Sequence, residues 1–152
     1  MAKAQVLILI GSESDRERIG KLPDLLGKLG ISYELAVSSA HRQPEQTASM
    51  VRCAKARGIQ VIIAAAGMSA HLPGAAAALT PLPVIGVPLN ASPLSGVDAL
   101  YSIVQMPPGV PVAAVGIDGA VNAGVLAARI LALKDETIAE RLDKFIAGGS
   151  RV

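Results

Sequence analysis

Gln5-Val6-Leu7-Ile8-Leu9-Ile10-Gly11-Ser12-Glu13-Ser14-Asp15 decides the fold. From Val6 to Ile10 no polar residue interrupts the run, so it lacks the alternation of a strand with one wet face, and Gly11 then breaks it. A short unbroken apolar run of this kind fits a strand buried on both faces in a parallel sheet, here over residues 5–10. Asp15 is expected to cap a helix running to about Leu29, with Gly30 as its stop. Pro23 should kink that helix or split it in two.

The same alternation repeats along the chain. Residues 33–38 read as a second strand, and Pro44 opens a helix that Gly58 closes. Residues 59–65 form a third strand, 67–71 a loop, and 72–80 a short alanine-rich helix. Residues 83–87 read as a fourth strand and 88–93 as irregular, followed by a helix over 95–105 with Asp98 in its first turn. A fifth strand over 112–117 precedes helices over 122–133, with Asn122 as cap, and 136–147. Five strands alternating with helices imply an α/β fold: a three-layer, doubly wound parallel sheet with right-handed crossovers and a C-terminal helix. The expected strand order is the flavodoxin-like 2-1-3-4-5. The 152 residues are expected to form a single domain, with the tail at about 148–152 frayed.

Composition narrows the function classes. Apolar residues make up 51% of the chain, yet Gly, Pro and charged residues interrupt every run before it reaches the length of a membrane span. The surplus points to surface buried against copies of the same chain, hence a homo-oligomer. A net charge of +2 from dispersed basic residues, with only 2% aromatics, argues against nucleic acid as a partner. The lone cysteine, Cys53, excludes an internal disulfide and reads as an inert core thiol on a helix. Met1-Ala2-Lys3-Ala4 runs straight into the first strand with no signal peptide, so the expected location is cytoplasmic.

Chemistry concentrates in three loops that such a sheet would present on one edge: residues 11–15, 38–42 and 67–74. The first joins small residues to a helix start, where backbone N–H groups favour an anion, but it lacks the Gly-Lys-Ser/Thr ending of a Walker loop. Arg42 could fork onto a phosphate beside Ser14 and Ser39, or pair on the surface with Glu45. Asp15 could accept hydrogen bonds from ribose hydroxyls, or serve as a plain cap. His41 and His71 supply too few convergent ligands for a metal, and none of Ser12, Ser14, Ser39 or Ser69 lies in a Gly-x-Ser-x-Gly elbow. General acid/base work by His41 suits these facts, with His71 a ligand contact or a buried hydrogen-bonder. Gly67 and Gly74 bracket the third loop, which suits close backbone approach to a flat ligand. A phosphorylated substrate undergoing proton transfer fits the set.

Gly11-Ser12-Glu13-Ser14-Asp15, Ser39-Ala40-His41-Arg42, Ala70-His71-Leu72-Pro73-Gly74 and Ser102-Ile103-Val104-Gln105-Met106-Pro107, in this order, resemble the PurE family of purine biosynthesis, the N5-carboxyaminoimidazole ribonucleotide mutases. The resemblance extends from the first strand to about Leu133. It implies an octamer with no cofactor and no metal. The implied reaction moves a carboxylate from the exocyclic nitrogen of an aminoimidazole ribonucleotide to a ring carbon, by decarboxylation, trapping of carbon dioxide and recarboxylation.

On this resemblance His41 is the acid/base: it supplies a proton as the first bond breaks and removes the ring-carbon proton at the end. Ser14, Ser39 and Arg42 would hold the phosphate and Asp15 the ribose, with Ser12 and Ala40 in the same binding loops. Gly67, Ser69, Ala70, His71 and Leu72 would line the imidazole and carbon dioxide pocket. One place departs from the mutase pattern, which usually reads Gly-Gly-Ala-Ala-His where this chain has Gly67-Met68-Ser69-Ala70-His71. Methionine adopts positive φ less readily than glycine. Gly-x-Ser here is shared with the related class that carboxylates aminoimidazole ribonucleotide directly with free carbon dioxide, which makes that carboxylase the runner-up. A non-catalytic flavodoxin-like binding domain is the remaining alternative. It is weakened because Ala65-Ala66-Gly67 stands where a receiver domain needs aspartate, and because aromatics to hold a flavin are scarce.

Overall fold

Residues 3–152 are described by the computed structural model; Met1 and Ala2, on which the reading of the N-terminus rests, lie outside them. The sheet contains β1 (Val6–Ile10), β2 (Tyr33–Val37), β3 (Val61–Gly67), β4 (Val84–Leu89) and β5 (Ala113–Ala114). All pairs are parallel and the order is β2-β1-β3-β4-β5, the predicted one. Every residue of β1 and β4 is buried, which accounts for their unbroken apolar sequences.

Alternate residues of each strand feed two cores. Val6, Ile8 and Ile10 of β1 face one side, against α1 (Leu22–Lys28), α5 (Ala120–Ala132) and α6 (Glu136–Ala147). Leu7 and Leu9 face the other, against α2 (Pro44–Arg57), α3 (Leu72–Ala77) and α4 (Val97–Val104). Each large aliphatic side chain removed from water in this way contributes roughly 1.5–3 kcal/mol before conformational entropy is counted. Helix ends follow the sequence signals: Pro44 opens α2, and Gly58 closes it in the left-handed conformation at φ 102°. The Asp135 carboxylate caps α6 by accepting from the Ile138 N–H at 3.2 Å. Past α6 the chain turns back toward α1, where the Lys21 ammonium donates to the Val152 carbonyl at 3.1 Å.

Four local expectations are corrected. The helix predicted over 15–29 is a 3-10 turn (Glu13–Asp15), a run of turns, and then the short α1 with Pro23 in its first turn. Asp15 therefore ends a turn rather than capping a helix. Asn122 is the third residue of α5, whose cap is Gly119. The fifth strand keeps only two paired residues, because it lies at the sheet edge with Pro111 before it and Gly116 after it. Cys53 is exposed, not a core thiol, because α2 turns Val51 and Ala54 inward and Cys53 outward.

At Gly86 in β4, an added Cβ would lie 2.5 Å from Ile103 Cγ2 and 2.9 Å from Val112 Cγ1. The missing side chain lets α4 sit directly on the sheet. Gly86→Ala is expected to cost about 1–3 kcal/mol through overpacking. Chemical denaturation would measure it, and an unchanged midpoint would show that α4 can lift away freely.

Candidate active site

The parallel ladder sets Val37 and Ala65 level with Ile10 on either side, so the loops after β1, β2 and β3 leave the sheet at one height. The chain runs from β1 outward to β2 and then back across to β3, which makes this edge the topological switch point where open α/β sheets bind ligands. A cleft of about 510 Å³ opens there. Ser12, Ser14, Asp15, Ser39, Ala40, His41, Arg42, Gly67, Ser69, His71 and Leu72 all line it. Ala70 does not: it is fully buried among the side chains beneath α3.

The first loop begins with extended Ser12 and turns at once into the 3-10 segment. The Ser14 hydroxyl donates to the Ser12 hydroxyl at 3.0 Å, bringing two polar groups to one corner. Asp15 sits behind them, only 6% exposed. Burial pushes its carboxyl above the usual aspartate range, opposed by a backbone hydrogen bond from Ser12 and by the Arg18 guanidinium. Arg16 is engaged by Glu13 in an ion pair, whereas Arg42 forms no pair with Glu45 and faces the cleft.

The second loop is tied down at both ends. The Ser38 N–H extends the ladder by donating to Ile10 O at 2.9 Å. The Ser38 hydroxyl, fully buried, meets the Thr47 hydroxyl of α2 at 2.7 Å, and Thr47 also donates to the Gln43 carbonyl at 3.1 Å. Between these anchors the Arg42 N–H donates to Ser39 Oγ at 3.3 Å. Ser38 belongs to the loop that stood out in the sequence, but its hydroxyl is turned inward as a lock, and Thr47 did not stand out.

The third loop brings its histidine to the second. His41 Nε2 lies 2.8 Å from His71 Nδ1, with the rings edge to face at 86°. One ring must donate and the other accept, so the two imidazoles share a proton across this contact. His71 is exposed, so its reading as a buried hydrogen-bonder gives way to one of a group on the cleft wall. Gly67 is forced: a Cβ there would lie 2.4 Å from Ala91 Cβ. Met68 takes φ 55° despite its side chain.

Sequence reasoning missed Arg18 and Ala91, both on the cleft wall. The Arg18 guanidinium donates to the Asn90 carbonyl, tying the turn after β1 to the loop after β4. Its spacing of three residues from Asp15 was the available signal. Among the described residues no three His, Cys, Asp or Glu side chains converge as a metal site would need.

The cleft thus has an anion-seeking corner of hydroxyls and Arg42, a buried carboxylate beside it, and a pair of imidazoles on the wall. Asp15→Asn should keep the melting temperature at neutral pH or raise it, since a neutral amide avoids the cost of a buried charge. A raised carboxyl pKa in the folded state makes the ionised form destabilising: stability conferred below the unfolded pKa is lost as pH rises through the folded one. Thermal melts from pH 4 to pH 8 should therefore show a smaller decline for the variant, and an equal decline would contradict the buried-charge account.

Comparisons with known proteins converge. A family model described as AIR carboxylase matches residues 5–150. A Brucella melitensis protein named N5-carboxyaminoimidazole ribonucleotide mutase is 54% identical, covering 92% of this chain and 88% of that one. A Schizosaccharomyces pombe protein named phosphoribosylaminoimidazole carboxylase is 50% identical over 91% of this chain, but the match spans 25% of its length. The crystal structure of Treponema denticola PurE superposes with a TM-score of 0.87 at 32% identity, covering 95% of this chain and 90% of that one.

Proposed function

This chain belongs to the AIR carboxylase family, and from that premise we propose that it is an N5-carboxyaminoimidazole ribonucleotide mutase of purine biosynthesis. It is an enzyme of the isomerase type, moving a carboxylate from the exocyclic nitrogen to the ring carbon of one ribonucleotide. The observation that carries the reading is the meeting of His41 and His71 at 2.8 Å in the cleft that also holds Arg42 and the Ser12–Ser14 pair.

In this reading Ser12, Ser14, Ser39 and Arg42 hold the phosphate and Asp15 accepts from the ribose hydroxyls. Those remote contacts fix the ring beside the imidazoles. His41 protonates the exocyclic nitrogen as its bond to the carboxylate breaks, which frees carbon dioxide in the cleft. The ring carbon then attacks carbon dioxide, and His41 recovers its proton from that carbon, so the enzyme ends as it began. Ala40, Gly67, Ser69 and Leu72 wall the ring, Ala70 supports them from beneath, and His71 holds the other end of the shared proton.

A direct carboxylase is the second reading, favoured by the name of the 50% identical fission yeast relative. Offering the N5-carboxylated substrate, or the uncarboxylated ribonucleotide with ambient carbon dioxide, separates the two: rapid product from the first alone means mutase, and efficient product from the second means carboxylase. His41→Asn should abolish turnover while leaving substrate affinity nearly intact. Turnover like that of the parent would remove His41 from the proton path.

The reading extends to a cytoplasmic homo-octamer. No described helix is long and apolar enough to cross a membrane. Val97, Tyr101 and Val104 form an exposed apolar row along α4, and Leu94 precedes it. Sedimentation at micromolar concentration is expected to show the assembly, and Tyr101→Glu to shift it toward smaller species. Monomer alone in the parent chain would overturn it.

A further inference from the structure

We propose that Met68 is a mobile cap over the reacting end of the cleft, retained to keep carbon dioxide from escaping between the two half-reactions; this rests on the mutase reading above. Its backbone takes φ 55°, a conformation that a residue with a Cβ adopts only at an energetic cost. Packing does not compensate that cost, because the residue is 58% exposed. The surrounding loop is tightly wound: the Ala70 N–H donates to the Met68 carbonyl at 2.9 Å, and the His71 N–H to the Ser69 carbonyl at 2.8 Å. Gly67, just before it, is held against Ala91. The left-handed turn at residue 68 is therefore set by its neighbours, and glycine would satisfy it better.

What methionine adds is bulk at an open rim. The cleft wall includes the small residues Ala40, Ala66, Gly67 and Ala91, whose side chains are too short to reach across it. Of the lining residues only Met68 and Leu72 are large and apolar, and Leu72 is 3% exposed and packed into the core. Met68 is thus the one large apolar side chain with freedom to fold over a bound ring. Its three side-chain torsions and polarizable sulfur suit contact with a flat aromatic surface. Freed carbon dioxide has two fates. It forms the new bond to the ring carbon, or it diffuses out and is hydrated, leaving the uncarboxylated ribonucleotide with its nitrogen protonated by His41. A cap that excludes water favours the first.

The test follows a carbon-labelled carboxylate on the exocyclic nitrogen of the substrate, in buffer containing unlabelled bicarbonate, with the parent chain, Met68→Gly and Met68→Leu. Met68→Gly is expected to release several-fold more label per product formed, at a melting temperature equal to or above the parent's. Met68→Leu, which keeps the bulk, is expected to retain label as the parent does. Equal retention in the glycine variant, equal leakage in the leucine variant, or a lower melting temperature for glycine would overturn the proposal. Absence of product from the parent chain would instead overturn the mutase reading itself.

Discussion

Parallel pairing of β1 with β2 on one side and β3 on the other is the constraint on which the rest of the structure depends. Ile10, Val37 and Ala65 stand level across three strands, and no polypeptide paired in this register can send their following loops anywhere but to the same edge. Because both faces of the sheet are covered by helices, the central strands β1, β3 and β4 have to be apolar throughout, whereas the edge strand β2 admits Glu34. Polar side chains are then excluded from the central strands and collect where the backbone leaves them. Fold and site arise from one requirement, with hydroxyls, carboxylate, guanidinium and imidazoles gathered at the edge because burial denies them any other place nearby.

Within the cleft the groups are separated in space: the Ser12–Ser14 hydroxyls, Arg42 and the buried Asp15 carboxylate come from the first two loops, and the His41–His71 contact joins the second loop to the third. Under the proposed mutase reading the first set would grip the parts of the ribonucleotide that do not react, and the imidazole contact would lie where bonds change. Burial of Asp15 makes the carboxylate a costly element of the fold at neutral pH.

Strand order, helix boundaries at Pro44 and Gly58, and the gathering of three loops were legible because each follows from local chemistry: apolar runs, a missing N–H, a left-handed stop. The segment after β1 was misread because Asp15 resembles a cap, and nothing local says that its carboxylate turns inward. The fifth strand lost most of its length because edge position, a tertiary property, decides how much of an apolar run is paired. Cys53 was misplaced by a rotation of the helix that its own neighbourhood does not reveal. Arg18 escaped notice because its partner, the Asn90 carbonyl, is distant in sequence. The imidazole contact likewise joins residues from different loops, so the histidines could be singled out but their meeting could not be foreseen.

The buried hydroxyls of Ser38 and Thr47 bind the histidine loop to its following helix, Ser38 relying on Thr47 alone and Thr47 bonded also to the Gln43 carbonyl. Replacing Thr47 with an apolar residue strands the Ser38 hydroxyl as an unpaired polar group, whereas replacing Ser38 leaves Thr47 its bond to the Gln43 carbonyl. The two positions are therefore linked in drift. Descendants of this chain would cross from a polar to an apolar lock by losing Ser38 before Thr47, because the reverse order passes through a stranded hydroxyl, so the order of change is set for reasons unrelated to the chemistry the loop supports.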